Sequence, residues 1–176
     1  VVVIVMGVTG AGKTTIGKLL AHKLGWEFAD ADDFHPAANV QKMSRGIPLD
    51  DADRVPWLQA MHDAIVRWNA SGRNVVLSCS ALKNSYRDRL RDRSVQFVYL
   101  KGDRDLILSR LNSRRGHFAT SSILDGQFRD LEEPGDAISV GIDSTPEAMV
   151  ADIIRQLESR GSSAIAASPS SLNPLQ

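Results

Sequence analysis

The residues "VVVIVMGVTGAGKTT", 1 to 15, constrain the fold more than any other part of the chain. Val1 to Met6 form an almost unbroken apolar, β-branched run, the pattern of a strand buried on both faces. From Lys13 the period changes. Ile16, Leu19, Leu20 and Leu24 follow helical spacing, and Gly25 suits the helix end. Between strand and helix, Gly7 to Thr14 ("GVTGAGKT") matches the phosphate-loop pattern G-x-x-x-x-G-K-[ST]. Glycines at these positions let the backbone turn tightly and aim successive N–H groups inward. Together with the helix N-terminus they make an anion cradle. A chance glycine turn would need neither the buried strand before it nor the amphipathic helix after it, and both are present. The expected nucleotide contacts are Gly7, Val8, Thr9, Gly10, Ala11, Gly12, Lys13, Thr14 and Thr15. Lys13 can reach the outer phosphates. The Thr14 hydroxyl can join the oxygen shell of a Mg²⁺ ion.

The remaining chain alternates strands and helices. "WEFAD" (26–30) reads as a short second strand, and 33–54 as an irregular stretch punctuated by Gly and Pro. Residues 53–72 read as a helix that begins near Asp53 or Arg54, with Pro56 in its first turn and a stripe of Leu58, Met61, Ile65 and Trp68. Strands are expected in "NVVLSCS" (74–80), "VQFVYLKG" (95–102) and "DAISVGID" (136–143). Helices are expected over 84–92, 103–115 and 145–160. Residues 116–135 form a polar excursion with room for a short helix. Residues 161–176, rich in Ser, Ala and Pro, read as a disordered tail. Such alternation implies a parallel sheet covered on both faces and joined by right-handed crossovers.

The chain's 176 residues suffice for one domain with a full core. Lysine and arginine number 21 against 21 aspartates and glutamates, so whole-chain charge points to no polyanion and leaves a nucleic-acid ATPase without a basic track. Cys79 is the single cysteine, which excludes an internal disulfide and fits a reducing compartment, so a cytoplasmic location is expected. No apolar run approaches the roughly 20 residues of a membrane span. The run at the start is too short for a signal peptide and lacks a basic flank. The chain opens on Val1 without a methionine, and a few trimmed upstream residues are expected.

Acidic and basic residues narrow the chemistry. No Asn-Lys-x-Asp guanine-reading motif is present, and the third strand ends in Ser78, Cys79 and Ser80 without a carboxylate, unlike motor ATPases. The acidic cluster follows strand two instead: "DADD", Asp30 to Asp33. In a parallel α/β sheet that strand end lies beside the phosphate loop, where ligands bind. Asp30 and Asp32 point the same way if the strand continues. One can then orient Mg²⁺-bound water while the other accepts a proton from an alcohol. The competing reading is a solvated acidic turn that caps the next segment. Arg110 and Arg114 are four apart on one helix face, with Arg115 adjacent. They suit a group that neutralises a phosphoryl in flight, or an ordinary basic helix C-terminus. His117 reads better as a surface or packing residue than as an acid–base group. His35, Arg54 and Lys83 can line an acceptor pocket, although by residue type alone each reads better as a surface charge. Trp57, Met61 and Trp68 read as core rather than as a stacking platform.

Taken together, these segments resemble the gluconate kinase family, thermoresistant type, among the small phosphate-loop kinases. The resemblance runs from Val3 to Arg160 and is carried by "GVTGAGKTT", "DADDFHPAANVQKMSRGIPLDDADRVPWL", "SCSALKNSYRDRLR", "FVYLKGDRDLILSRLNSRRGHF" and "LDGQFRDLEEP". It implies a three-layer α/β/α fold with a five-stranded parallel sheet in order 2-3-1-4-5, like that of nucleoside monophosphate kinases, with a small lid over about 112–135. One such kinase domain would span 1–160. The implied reaction transfers the ATP γ-phosphate to the 6-hydroxyl of D-gluconate, giving 6-phospho-D-gluconate and ADP for the pentose phosphate or Entner–Doudoroff routes. By similarity to shikimate kinases, Asp30 is the Mg²⁺-side carboxylate beside Thr14, and Asp32 the acceptor-side base. The resemblance places Arg110 near adenine, Arg114 near the phosphates on lid closure, and Asp143 to Glu147, with Thr145, behind the adenine. His35, Arg54, Lys83 and Gln127 would meet the acceptor. Family members often pair, so a homodimer is an open expectation. The chain departs from the family pattern at Ala119 and Thr120, where Met-Pro is common, and at Gly126, where Ser is common.

The expected catalytic set is thus Lys13, Asp32 and Arg114. A sugar acid needs a cationic partner for its carboxylate, for which Arg54 and Lys83 are candidates. Rival readings are a kinase for another small acid such as shikimate, a nucleoside monophosphate kinase, and an ATP-binding module without transfer activity.

Overall fold

The structure is a computed structural model, which describes residues 1–113 and 120–161. Its centre is a five-stranded, all-parallel sheet in the order β2-β3-β1-β4-β5, as the sequence leads one to expect. The strands are β1 (Val2–Met6), β2 (Glu27–Asp30), β3 (Val75–Ser78), β4 (Val95–Lys101) and β5 (Ile138–Gly141). The helices are α1 (Lys13–Leu24), α2 (Ala37–Ser44), α3 (Asp51–Ala70), α4 (Asn84–Leu90), α5 (Arg104–Ser113), α6 (Thr120–Asp130) and α7 (Pro146–Ser159).

Every residue of β1 is buried, because successive side chains enter two different cores. Val3 and Val5 join Val76, Val98 and Leu100 in one layer, filled by Ile16 and Leu20 of α1, Ile107 of α5, and Ile153 and Leu157 of α7. Val2, Ile4 and Met6 join Leu77, Phe97 and Tyr99 in the other, filled by Leu58, Met61 and Ile65 of α3 and Leu90 of α4. A continuous apolar run is therefore required of the central strand, and only β1 has one so unbroken. Gly25, at φ 66°, ends α1.

Three local expectations are corrected. The stretch 33–54 is not irregular throughout: it holds α2 and the beginning of α3. Helix α3 starts at Asp51 rather than at 53 or 54, because Asp50 and Asp53 form a reciprocal capping box: each side chain accepts from the other's backbone N–H. Consequently Pro56 lies inside the helix, in its second turn, and has no N–H to offer the Ala52 carbonyl. The helix for which the excursion after α5 left room is present and runs to eleven residues, α6, longer than the short one expected. Part of the expected lid, 114–119, and the tail from 162 onward lie outside the described residues.

Pairing registers bring the site together. Asp30 at the end of β2 is level with Ser78, and Ser78 is level with Val5 of β1. The loop after β1 and the acidic turn after β2 thus leave the same edge of the sheet, one strand apart.

Candidate active site

A cleft of about 720 Å³ opens at that edge. One wall is the phosphate loop. Gly10 and Gly12, at φ 79° and 98°, hold left-handed conformations that a side chain resists. At Gly10 an added Cβ would also come within 2.8 Å of the Leu111 side chain, so α5 presses directly on the loop. Gly12 is the residue from which α1 starts, so Thr14 and Thr15 sit in its first turn, exposed at the cleft. Val8 and Ala11 face inward and anchor the loop in the core. Lys13 Nζ donates to the Val8 carbonyl at 3.0 Å. Burial pushes the Lys13 ammonium below its ordinary value, and the charges of Asp32 and Asp30 partly offset this. The neighbouring Cys79 thiol, pushed up to about 12 by its own burial, is neutral at pH 7 and adds no charge.

The opposite wall begins with the acidic turn. The strand does not continue past Asp30, so alternation is not what aligns the two aspartates. Ala31–Phe34 form a 3-10 turn capped by Asp30, whose Oδ1 accepts from the Asp32 N–H at 3.1 Å. The capping reading is therefore true of Asp30, which at the same time faces the phosphate loop. Its other oxygen, Oδ2, accepts from Thr14 Oγ1 at 3.5 Å. Asp32 carries its carboxylate into the open cleft, 88% exposed. Two protein oxygens beside a phosphate cradle fit a hard divalent cation that takes its remaining ligands from water and phosphate. Among the described residues no cluster of three His, Cys, Asp or Glu exists to cage a metal by itself.

Further residues lie along the opposite wall. His35 stacks on Trp57 with centroids 4.7 Å apart, and Trp57 Nε1 donates to Ala31 O at 2.7 Å. Trp57 is buried in the core as expected, and the ring it stacks on is the protein's own His35. Met61 is wholly core. Arg54 reaches the cleft, while Lys83 is not among the residues that line it. Lys83 pairs with Asp51 at 3.0 Å, and Tyr86 Oη donates to the same carboxylate. Arg54 donates to Tyr86 Oη at 3.3 Å and lies 3.6 Å from Asp51. Gln127 of α6 accepts from the Thr9 N–H at 2.6 Å, which ties the excursion to the phosphate loop. Arg110 donates to the Ile142 carbonyl, beside the 143–147 loop; there Thr145 caps α7 by accepting from the Ala148 N–H. Neither lines the cleft. Arg114 and His117 lie outside the described residues.

The comparisons with known proteins agree with this geometry. Residues 9–157 match the shikimate kinase family model. The chain is 44% identical to the thermoresistant gluconokinase of Escherichia coli, covering 88% of this chain and 92% of that protein. It is 44% identical to the gluconokinase of Gluconobacter oxydans over 88% of this chain and 90% of that one. A solved gluconokinase from Sinorhizobium meliloti superposes with a TM-score of 0.81 at 38% identity, covering 95% and 97% of the two chains. The chain belongs to the gluconokinase family, within the shikimate kinase group. It is an ATP-dependent kinase of the phosphate-loop type, and its chemistry calls for a nucleotide and a metal ion. No helix among the described residues is long and apolar enough to cross a membrane.

Within the gluconokinase frame, several site residues carry no signal that sequence reasoning used. Asp51 and Tyr86 are ordinary helix residues until tertiary contact makes them the anchor of Arg54. Arg87, placed by the sequence only within the helix expected over 84–92, is 1% exposed. It donates to the Ala81 and Leu82 carbonyls at 2.8 Å and to Glu132 O at 2.7 Å, fixing the β3–α4 loop to the exit of α6. Of the family departures, Gly126 lies in α6 immediately before Gln127; a Cβ there would meet nothing closer than an Arg129 nitrogen at 3.7 Å.

Proposed function

We propose that the protein transfers the γ-phosphate of ATP to the 6-hydroxyl of D-gluconate, yielding 6-phospho-D-gluconate and ADP. The observation that carries this reading is a single cleft that joins the phosphate loop, the Asp32 carboxylate and the Arg54 guanidinium in a chain 44% identical to gluconokinases.

Lys13 and the loop N–H groups hold the triphosphate. Asp32 orients the acceptor hydroxyl and takes its proton as the oxygen–phosphorus bond forms, while the bridging oxygen leaves with ADP. Thr14 and Asp30 are the protein ligands assigned to Mg²⁺, which when bound neutralises charge on the phosphates. Arg54 meets the gluconate carboxylate, a contact that glucose cannot make. Lys83 acts through Asp51 by helping to hold Arg54 in place. Arg114, with Arg110 and Thr145 at the adenine end, completes the nucleotide side, and Gln127 brings α6 against the phosphate loop as water is excluded. The reading also includes a homodimer and a cytoplasmic location, with no nucleic-acid or membrane partner.

An acceptor panel with labelled ATP tests the assignment. Gluconate-dependent ADP release is expected. Transfer to shikimate or AMP but not gluconate would overturn the substrate, and ATP binding without any acceptor-dependent release would leave only a binding module.

A further inference from the structure

Asn39 has no place in the mechanism above, yet it is 2% exposed and sits one residue layer behind the cleft. Its amide nitrogen donates to the Asp53 carbonyl at 2.8 Å and lies 3.4 Å from His35 Nδ1. A carbonyl can only accept, so the Asp53 contact fixes which end of the amide faces α3. The second amide hydrogen is then left for His35 Nδ1, which must be unprotonated to receive it. The one hydrogen of a neutral His35 ring therefore sits on Nε2, which faces Asp32 Oδ1 at 4.0 Å. Stacking on Trp57, itself held to Ala31, keeps the ring in that plane. The Lys42–Asp53 pair at 2.7 Å ties α2, which carries Asn39, to the start of α3. Among charged neighbours, Asp32 favours a protonated ring and Arg54 opposes it; burial of the ring is the larger influence and keeps it neutral.

We propose that Asn39 is a positioning residue for the acceptor: it locks His35 as the Nε2–H tautomer, so that the cleft presents a neutral donor beside the Asp32 acceptor, and the pair reads two adjacent hydroxyls of the polyol chain. This rests on the gluconokinase reading above. The 4.0 Å separation is too long for a direct hydrogen bond and suits two groups that each hold a neighbouring oxygen. Asp32 takes the reacting 6-hydroxyl, and His35 Nε2–H donates to the oxygen on the adjacent carbon. An acceptor that lacks that hydroxyl leaves the donor unpaired, and a site built in this way discriminates against it.

The test has two parts. Nitrogen-15 NMR of the histidine-labelled full chain, recorded without substrate, is expected to show His35 with a protonated Nε2 and a bare Nδ1. A protonated Nδ1 in the wild-type chain would overturn the proposal. In Asn39→Asp, whose carboxylate can only accept, the hydrogen should move to Nδ1 and the KM for gluconate should rise roughly tenfold, about the worth of one hydrogen bond, with kcat changed far less. His35→Phe should show the same rise with gluconate and none with 5-deoxygluconate, whereas His35→Gln should recover part of the loss. Unchanged tautomer and gluconate KM in Asn39→Asp, or equal losses on both acceptors in His35→Phe, would sink it. Absence of gluconate-dependent ADP release from the wild type would refute the functional reading itself, while the substrate-free spectrum still judges Asn39.

Discussion

The two walls of the cleft are built on different principles. The phosphate wall is a contiguous segment, Gly7 to Thr15, whose working groups are mostly backbone N–H donors held by glycine torsions and by the first turn of α1. The opposite wall is assembled from side chains within 30–35 and 54–57, backed by Asn39 and Tyr86, and is tied together by contacts between residues remote in sequence. Backbone cradles tolerate change at most side chains but not at the few that carry charge. A side-chain wall distributes its function over ring stacks, carboxylate clamps and caps, so its losses are graded.

The largest effect is therefore expected at the one charged side chain of the phosphate wall. Lys13→Ala should lower kcat/KM by about 10³-fold with any acceptor, as loss of a preorganised transition-state donor does. A small drop would mean that the backbone alone carries the wall. Asp32→Asn should lower kcat by about 10²-fold while the KM for ATP stays near wild type, and an unchanged rate would remove it as the base. Next, Arg54→Leu should raise the gluconate KM by roughly 10-fold to 100-fold, the worth of a hydrogen-bonded charge. Lys83→Leu should raise it only a few-fold by the same measure, since Lys83 meets Asp51 rather than the cleft. A reversed order would exchange their roles.

A smaller effect concerns the Asp51 clamp. The Tyr86 hydroxyl first, then Lys83, holds the Asp51 carboxyl below its usual range. A depressed carboxylate stabilises the fold at pH values above its unfolded pKa of about 3.9 and loses that contribution as pH falls through the folded value. The Tm difference between wild type and Asp51→Asn should thus be constant near neutrality, begin to shrink near about pH 4 and vanish only once the pH is below the folded value. A difference that persists in acid would assign it to packing. Smallest is Gly126→Ala, which should raise stability by about 0.5–1 kcal/mol in thermal melts, because the position is helical and a Cβ has room. Destabilisation would show that α6 needs the freedom of glycine.

Much of this molecule was legible without coordinates. The strand–loop–helix of residues 1–24 declares itself because its signals are local: an apolar run, a glycine spacing and a change of period. The sheet order followed from the family resemblance. Where reading failed, the cause was a contact that no periodicity records. The Asp50–Asp53 box moved the start of α3 and with it the place of Pro56. The 3-10 turn replaced strand alternation as the reason that Asp30 and Asp32 share a cleft. Asn39 and Arg87 are polar residues on short helices, and nothing in residue type separates a buried tie from a solvated one.

The sequence by itself determined the phosphate wall and the alternating architecture, since backbone torsion and side-chain period are properties of neighbours along the chain. Tertiary structure alone decided that Arg54 rather than Lys83 faces the cleft and that Asn39 turns toward His35. Those outcomes depend on which carboxylate or carbonyl lies across the gap. That is set by helix packing on the sheet, at distances in space that the linear order of residues does not encode.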